Sequence, residues 1–337
     1  MAQAAMSPFS QAVVSAMRKI YPESLADKSF DNTGLLLESP FDPEQQLKNS
    51  VLLTTDLTKA VADEAIARRD SIIVAYHPII FRGIKSITLQ DPQQKSLLRL
   101  AQEGISVYSP HTAVDAVPGG MADWLCDIVS GSVSGSSASS HNQPPQQPDS
   151  KSSYSDLIYP QLGHNAINAT TAIPHTRSAI HPSPPPVPSG FEGAGAGRIL
   201  TFTTPQPLAA LIDRIGRATG NPGSLSVAIP QDASIASLNI TTVGVCPGSG
   251  GGVLMKGAVL PDLLFTGELS HHEALAAIER GSVVVTLFHS NTERGYLHDV
   301  MRHKLADALK QEVQSAEEPV VAVSKADRDP YGIVVRK

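Results

Sequence analysis

Histidines and carboxylates follow three predicted strands of this sequence, at the point where each strand ends. His77 comes directly after the apolar segment SIIVAY. His111 and Asp115 follow ISVYSP, and His289 and Glu293 follow SVVVTL. In open α/β sheets, ligand sites form outside the carboxyl ends of the strands, so side chains from three strands can converge there. Neutral imidazole and ionised carboxylate suit Zn, Mn, Fe or Ni, and the residues therefore predict a divalent-metal site.

The second and third clusters share the spacing His-x-x-x-acid. If each lies on the first turn of a helix, the imidazole and the carboxylate share one face. Because carboxylates can bridge, the set could hold one ion or two, and a pair of ions is used in metal-assisted hydrolysis. For a single cluster the alternative is a hydrogen-bonded histidine at a strand end and an acid placed by the helix dipole. Three clusters at equivalent positions favour the metal.

The segment TGELSHHEA supplies further polar residues near a strand end. Glu268 follows the strand, and His271 and His272 open a helix, so we expect them to line the site and to orient the ligands. The alternative is a solvated Glu268 beside a helix capped by Ser270. Asp56 also ends a strand, where a capping role is as well supported as a role in a site.

A glycine-rich loop follows another predicted strand, in GVCPGSGGG. Its backbone N–H groups at Gly248, Ser249, Gly250 and Gly251 could bind an anion. The loop lacks the Gly-Lys-Ser/Thr ending of a nucleotide P-loop, and the alternative is a tight turn that packs a helix on a strand.

Strand and helix patterns alternate along the first 130 residues and return after about residue 198. This alternation predicts an α/β fold with mainly parallel sheets covered by helices on both faces. Between about residues 131 and 197 the sequence is rich in Ser, Pro and Gly, which predicts a largely disordered insert. At the N-terminus an amphipathic helix capped by Ser10 competes with a transit peptide, and the residue pattern favours the helix.

Composition excludes several classes of function. The chain has 337 residues, enough for two domains, and a formal net charge of −6 without a basic stripe, which does not predict direct nucleic-acid binding. No apolar run reaches the roughly 20 residues of a membrane span. The two cysteines, Cys126 and Cys246, favour a reducing compartment. We expect a cytoplasmic protein, with a nuclear or mitochondrial pool left open.

Six motifs occur in a fixed order over roughly residues 7–130 and 198–337: FDNTGLLLE, YHPIIFRGIKSIT, YSPHTAVDAVPGG, GSGGG, FTGELSHHEA and FHSNTERGYL. Together they resemble the Nif-three-like family, also called the GTP cyclohydrolase I type 2 homologs. The resemblance implies two similar α/β lobes with a metal pair in the cleft between them, and a homo-oligomer such as a hexamer. The predicted lobes are 1–112 with 298–337, and 113–297 interrupted by the insert.

Carried over to this sequence, the metal ligands implied by the resemblance are His77, Asp115, His289 and Glu293, with Glu293 bridging. Many members of the family have two histidines where this chain has Tyr76 and His77. A phenol with a pKa near 10 is a poor ligand. The resemblance therefore implies one well-occupied ion and a weaker second position, with Tyr76 lining the site as a hydrogen-bond donor.

Two classes of function follow from these observations, and the enzyme class stays open. The first is a metal-dependent hydrolase acting on a nucleotide-like or other small substrate, with GTP cyclohydrolase-like activity as one form and His111 or Glu268 as the proton carrier. The second is a non-catalytic interaction or regulatory protein that binds a transcriptional adaptor, with the Pro-rich segment PHTRSAIHPSPPPVP as a partner motif. A metal-handling protein is a third alternative.

Overall fold

The computed structural model describes residues 6–132, 172–220, 223–313 and 318–334. The strands are β1 (Gly34–Leu37), β2 (Lys48–Thr54), β3 (Asp70–Ala75), β4 (Ser106–Ser109), β5 (His175–Pro182), β6 (Gly195–Pro207), β7 (Ser226–Ala228), β8 (Asn239–Ser249), β9 (Leu263–Glu268), β10 (Val283–Thr286) and β11 (Val320–Val323). The α-helices are α1 (Pro8–Ile20), α2 (Lys59–Arg68), α3 (Pro92–Gln102), α4 (Thr112–Ala116), α5 (Met121–Ser130), α6 (Leu208–Ala218), α7 (Gly251–Leu254), α8 (His271–Glu279), α9 (Arg294–Tyr296) and α10 (Arg302–Glu312). None of the helices in these ranges combines the length and the apolar character that a membrane span requires.

The chain forms two compact units, which we call the first and the second unit. The first unit comprises residues 1–117, 185–192 and 296–328, and the second comprises 118–184, 193–295 and 329–337. Residues 329–337 group with the second unit and residues 185–192 with the first. The predicted lobes, 1–112 with 298–337 and 113–297, stay a prediction.

The first unit is built on a five-stranded sheet in the order β1-β4-β3-β2-β11. β11, β2, β3 and β4 pair in parallel, and β1 pairs antiparallel with β4 at the edge. The residues of β3 are all buried, as expected for a parallel strand covered on both faces. Leu52, Ile73 and Val107 pack against Val61 and Leu100 of helices α2 and α3. This sheet matches the predicted parallel architecture.

Helix α1 begins one turn earlier than the predicted cap. Its N-cap is Ser7, whose side chain accepts a hydrogen bond from the backbone N–H of Ser10, and Pro8 occupies the first turn. The prediction of Ser10 as the cap was wrong because proline, which lacks an N–H, suits the first helical position and places the cap before it. Ser10 is buried and donates instead to the Ser71 carbonyl, 3.0 Å away, which attaches α1 to β3.

The second unit is built on a six-stranded sheet in the order β5-β6-β8-β9-β10-β7. β8, β9 and β10 are parallel, whereas β5 with β6, β6 with β8 and β10 with β7 are antiparallel. Cys246, Leu264 and Val284 form a buried cluster with Leu254 of α7 and Ala277 of α8. The α/β class is confirmed, and this second sheet is mixed rather than mainly parallel.

Part of the predicted insert is ordered. Residues 133–171 lie outside the described residues, but β5 pairs along its length with β6, with Arg177 opposite Leu200. The prediction of disorder up to residue 197 was wrong for this part. β5 is an edge strand in which half-buried and exposed residues alternate at first, so it carries no apolar run. The first half of the predicted Pro-rich motif therefore belongs to a sheet.

The two chain ends that flank residues 133–171 are held together. Helix α5 ends at Gly131, which adopts a left-handed conformation with φ of 79°. The backbone N–H of Ile173 donates to the carbonyl of Ser130 at 2.9 Å. The chain therefore leaves α5 and returns toward β5 at the same point of the second unit.

Candidate functional site

His77 lies just beyond the carboxyl end of β3 and contacts a carboxylate at the end of the neighbouring strand. Its Nδ1 is 3.0 Å from Oδ1 of Asp56. The backbone N–H of His77 donates to the Thr55 carbonyl at 2.9 Å, which fixes the ring next to β2. A histidine that donates its Nδ1 proton to a carboxylate presents the Nε2 lone pair outward, which is the usual arrangement of a metal-binding histidine.

His111 repeats this arrangement at the end of β4. Its Nδ1 is 2.5 Å from Oδ1 of Asp31, a side chain without solvent exposure. Burial would raise the pKa of Asp31, but the hydrogen bonds and charge from His111 and the hydrogen bonds from Thr112 outweigh it, so the pKa lies below its usual value. His111 also has a positive φ of 33°, a strained conformation for a residue with a side chain.

Asp115, on α4, is contacted by the residue that departs from the family motif. The Tyr76 hydroxyl donates to Oδ1 of Asp115 at 2.8 Å. Tyr76 is only 2% exposed, so its ring belongs to the core of the first unit. Tyr76 is thus a hydrogen-bond donor, and its acceptor is a predicted metal ligand.

In the second unit, His289 contacts two carboxylates. Its Nδ1 is 2.8 Å from Oε1 of Glu268, at the end of β9, and its Nε2 is 3.4 Å from Oε1 of Glu293. Glu293 is 1% exposed, whereas Glu268 is exposed. The contact of Glu268 corresponds to the interpretation in which this residue orients a ligand.

The backbone around His289 differs from the predicted helical first turn. Residues Ser290–Thr292 form a single 3-10 turn, and Glu293 follows it with a non-helical conformation. Phe288, which precedes His289, has a positive φ of 69°. Thr292 stabilises the turn by donating through its hydroxyl to the His289 carbonyl at 2.8 Å. The imidazole and the carboxylate still meet, because the strained turn takes the place of a helix.

The glycine loop passes closely by this pair. Gly248 has φ of 59°, and a Cβ at this position would lie 2.5 Å from Oε1 of Glu293 and 2.8 Å from Nε2 of His289. The N–H of Gly248 donates to the Thr292 hydroxyl at 2.9 Å, and the N–H of Gly250 donates to the Glu268 carbonyl at 3.2 Å. These two N–H groups of the predicted anion loop thus have protein acceptors, and the close approach to the ligand pair explains the glycine at 248.

His271 and His272 lie at the start of α8 and are exposed. Their ring centroids are 5.2 Å apart. Ser270 and Glu273 form a capping box there, as the alternative interpretation of this segment predicted for Ser270. The role of the two histidines in lining the site stays a prediction.

The donor set fits a divalent transition metal. Each of His77, His289 and Glu293 presents an atom that could hold a metal ion. Imidazole nitrogen and carboxylate oxygen are the ligands preferred by Zn and its neighbours in the first row. Because residue 248 is a glycine, no side chain fills the space beside Nε2 of His289 and Oε1 of Glu293.

The role of Asp31 was not predicted from the sequence, and Asp56 was compatible with a helix cap as well as with a site. Both residues pair with histidines that were identified, at His111 and His77. Asp56 follows β2 directly, so the rule that found His77 could have found it. Asp31 lies in the loop before β1, and no strand end marks its position.

Known proteins are similar to this chain in sequence and in fold. The family described as Duf34/NIF3 (NGG1p interacting factor 3) matches residues 10–330. The chain belongs to this family. A Schizosaccharomyces pombe protein named "Protein NIF3 homolog" is 43% identical over 315 residues, covering 93% of this chain and 94% of its own. The "NGG1-interacting factor 3" of Saccharomyces cerevisiae is 35% identical, covering 95% and 96%.

Two solved structures have the same fold. A Bacillus cereus protein related to NIF3 superposes with a TM-score of 0.63 at 19% identity, covering 95% of this chain and 98% of its own. Reduced HcgD from Methanocaldococcus jannaschii gives a TM-score of 0.59 at 17% identity, covering 94% and 97%. The resemblance inferred from the six motifs is therefore confirmed.

Proposed function

We propose that this Duf34/NIF3 protein binds one or two divalent metal ions through His77, Asp115, His289 and Glu293 and uses them to hydrolyse a small, nucleotide-like substrate. The observation that carries the proposal is the repeated pairing of a histidine Nδ1 with a carboxylate, at His77, His111 and His289. Such pairing fixes the tautomer and raises the basicity of the ligand nitrogen. A single pair of this kind also suits a structural histidine at a strand end, but three in one chain favour the metal.

Different residues of the chain then have different roles in the reaction. A divalent ion held by the ligands would supply Lewis-acid chemistry and make a water nucleophile available near neutral pH. His111 transfers a proton at Nε2, because Asp31 holds its Nδ1. Glu268 orients His289, which leaves His111 as the better proton carrier of the two that the sequence predicts.

Tyr76 makes the two metal positions unequal in this proposal. Its hydroxyl donates a hydrogen bond to one oxygen of Asp115, at 2.8 Å. Where a histidine would add a neutral nitrogen ligand, the chain has a phenol engaged in a hydrogen bond. We expect one ion to bind tightly and a second to bind weakly.

Metal analysis followed by turnover assays tests the proposal. Inductively coupled plasma mass spectrometry should find bound Zn, Mn, Fe or Ni in the purified protein, and less than one ion per chain in His289→Ala and Glu293→Ala. Turnover on a panel of nucleotides should be lost in the same variants while circular dichroism stays unchanged. His303→Ala, an exposed histidine of α10, is the matched control and should retain both metal and turnover.

A protein that contains no metal and shows no turnover after metal is added would contradict the proposal.

The second candidate function, protein interaction, rests on the name of the S. cerevisiae relative, NGG1-interacting factor 3. It predicts that the protein binds a partner with equal affinity when His289 and Glu293 are both alanine. Homo-oligomer formation is a further proposal, which light scattering on the purified protein tests.

A further inference from the structure

Two phenylalanines of the first unit are exposed side by side. Phe30 is 53% exposed and Phe81 is 43% exposed. Their ring centroids are 6.3 Å apart with an interplanar angle of 51°. A single exposed apolar residue needs no explanation, but adjoining exposed aromatic rings next to a polar cluster are typical of a binding site.

The exposed rings adjoin the histidines of the first unit. The Phe81 ring meets that of His111 edge to face, with centroids 6.3 Å apart and an interplanar angle of 82°. The His111 ring lies 5.4 Å from that of His77 and 5.4 Å from that of Tyr76. The aromatic surface thus continues into the group that we propose carries the proton.

Hydrogen bonds on neighbouring residues hold both phenylalanines in place. Asp31, next to Phe30, accepts from His111 and from the backbone N–H of Thr112 at 3.2 Å. The Asn32 side chain donates to the carbonyl of Ile80, the residue before Phe81. The backbone beside both rings is therefore held in place, which reduces the ordering cost that a ligand must meet.

We propose that Phe30 and Phe81 bind a planar aromatic ring of the substrate and place it beside His111. The proposal rests on the hydrolase function proposed above and names the class of substrate for it. Stacking suits a flat heteroaromatic ring, since every such ring offers a face to an aromatic side chain. Arg82 and Lys85 are exposed in the same loop, so a ring that carries an anionic group fits better than a neutral one.

A second protein chain is a less suitable occupant of this surface. Docked chains bury broad apolar patches with few charges at the centre. Here Arg82 follows Phe81 directly, Lys85 lies in the same loop, and the His111 ring contacts that of Phe81, so ionisable groups adjoin the rings. The oligomeric state of the variants described next distinguishes the two occupants.

Binding of two probes to the full chain tests the proposal. The first probe is adenosine 5′-monophosphate or guanosine 5′-monophosphate. The second is ribose 5-phosphate, which has the same anionic group and no aromatic ring. Isothermal titration calorimetry should give tighter binding of the nucleotide. Phe30→Ala and Phe81→Ala should each weaken it at least about fivefold, the loss expected when a base loses an aromatic stacking partner.

Two variants serve as controls. Phe81→Trp keeps an aromatic face and should retain the affinity for the nucleotide. Phe41→Ala removes another phenylalanine of the first unit, which is 40% exposed, and should leave the affinity unchanged. Saturation-transfer NMR should place the strongest contacts on the ring protons of the nucleotide.

Equal affinities for the two probes would overturn the proposal. So would a change of molecular mass in Phe30→Ala and Phe81→Ala without a change in nucleotide affinity, which would assign the rings to a second copy of this chain. Metal content, measured on the same samples, separates this outcome from failure of the hydrolase proposal. A metal-loaded protein without preference for the ring refutes the aromatic surface alone, and a metal-free protein that prefers the ring refutes the hydrolase alone.

Discussion

At the scale of single residues, the carboxylates behind the histidines decide how well the proposed ligands are oriented. Asp56 holds His77 and Glu268 holds His289, each through Nδ1. The sequence indicated the histidines because they follow apolar strands. It did not separate their partners from ordinary acids, since a carboxylate beyond a strand end can also cap a helix or face water. Only the folded chain brings each acid to its ring.

Substitution of these carboxylates by amides should weaken metal binding without abolishing it. Asp56→Asn and Glu268→Gln remove the negative charge that faces Nδ1 of His77 and of His289. A carboxylate that holds a metal-binding histidine in this way typically raises the metal affinity about 10- to 100-fold. Competition with a chromogenic chelator measures the change. Glu279→Gln, an exposed acid at the end of α8, should bind metal like the unaltered chain.

Gly248 offers a sharper test at the same scale. Alanine there would bring its Cβ to 2.5 Å from Glu293 and should displace the ligand pair, so metal binding should be lost. Gly281→Ala is the matched control, since Gly281 also has a positive φ, of 85°, but no atom lies within 4 Å of its Cβ position.

Both glycine variants should lose about 1 kcal/mol of folding stability from the left-handed backbone. Chemical denaturation measures that shared loss, and metal analysis measures the difference between them. If Gly248→Ala bound metal as tightly as Gly281→Ala, the close approach of the loop would have no bearing on the ligands.

At the scale of elements, apolar runs were predicted well and edge strands poorly. SIIVAY and SVVVTL became β3 and β10, because a strand buried on both faces must be apolar throughout. β5 was missed because its half-buried and exposed residues alternate and its composition resembles that of a loop. Among the described residues it pairs with β6 at the edge of the sheet. The turn after β10 was predicted as a helix, because the positive φ of Phe288 cannot be recognised from the amino-acid composition.

The buried position of Cys126 on helix α5 predicts that this cysteine is unreactive in the native protein. Cys126 lies on this helix without solvent exposure, and burial raises the pKa of its thiol to about 12. Below that pH the thiol keeps its proton, and the thiolate that reacts with alkylating reagents is scarce. Iodoacetamide at pH 8 should leave Cys126 unmodified in the native protein and modify it in denaturant, as peptide mass spectrometry would report. Rapid modification under native conditions would contradict the described packing of α5.

At the scale of the whole molecule, the fold class and the family could be predicted from the sequence. The family could be identified because six short motifs occur in one fixed order along the chain. Residues 185–192 group with the first unit, although the residues on either side of them belong to the second. Such long-range returns of the chain depend on packing rather than on local pattern.

The hydrogen bond between Ile173 and Ser130 has a consequence for engineering this protein. The chain leaves Ser130 and returns at Ile173 at one anchored point, so a short connection can replace residues 133–171, and the entropy of closing such a connection changes slowly with its length. Replacing them with a short Gly-Ser linker should shift the melting temperature by no more than a few degrees. A drop large enough to unfold the protein would contradict this. The same point should accept a fluorescent protein, which would label the chain without a change at either end of it.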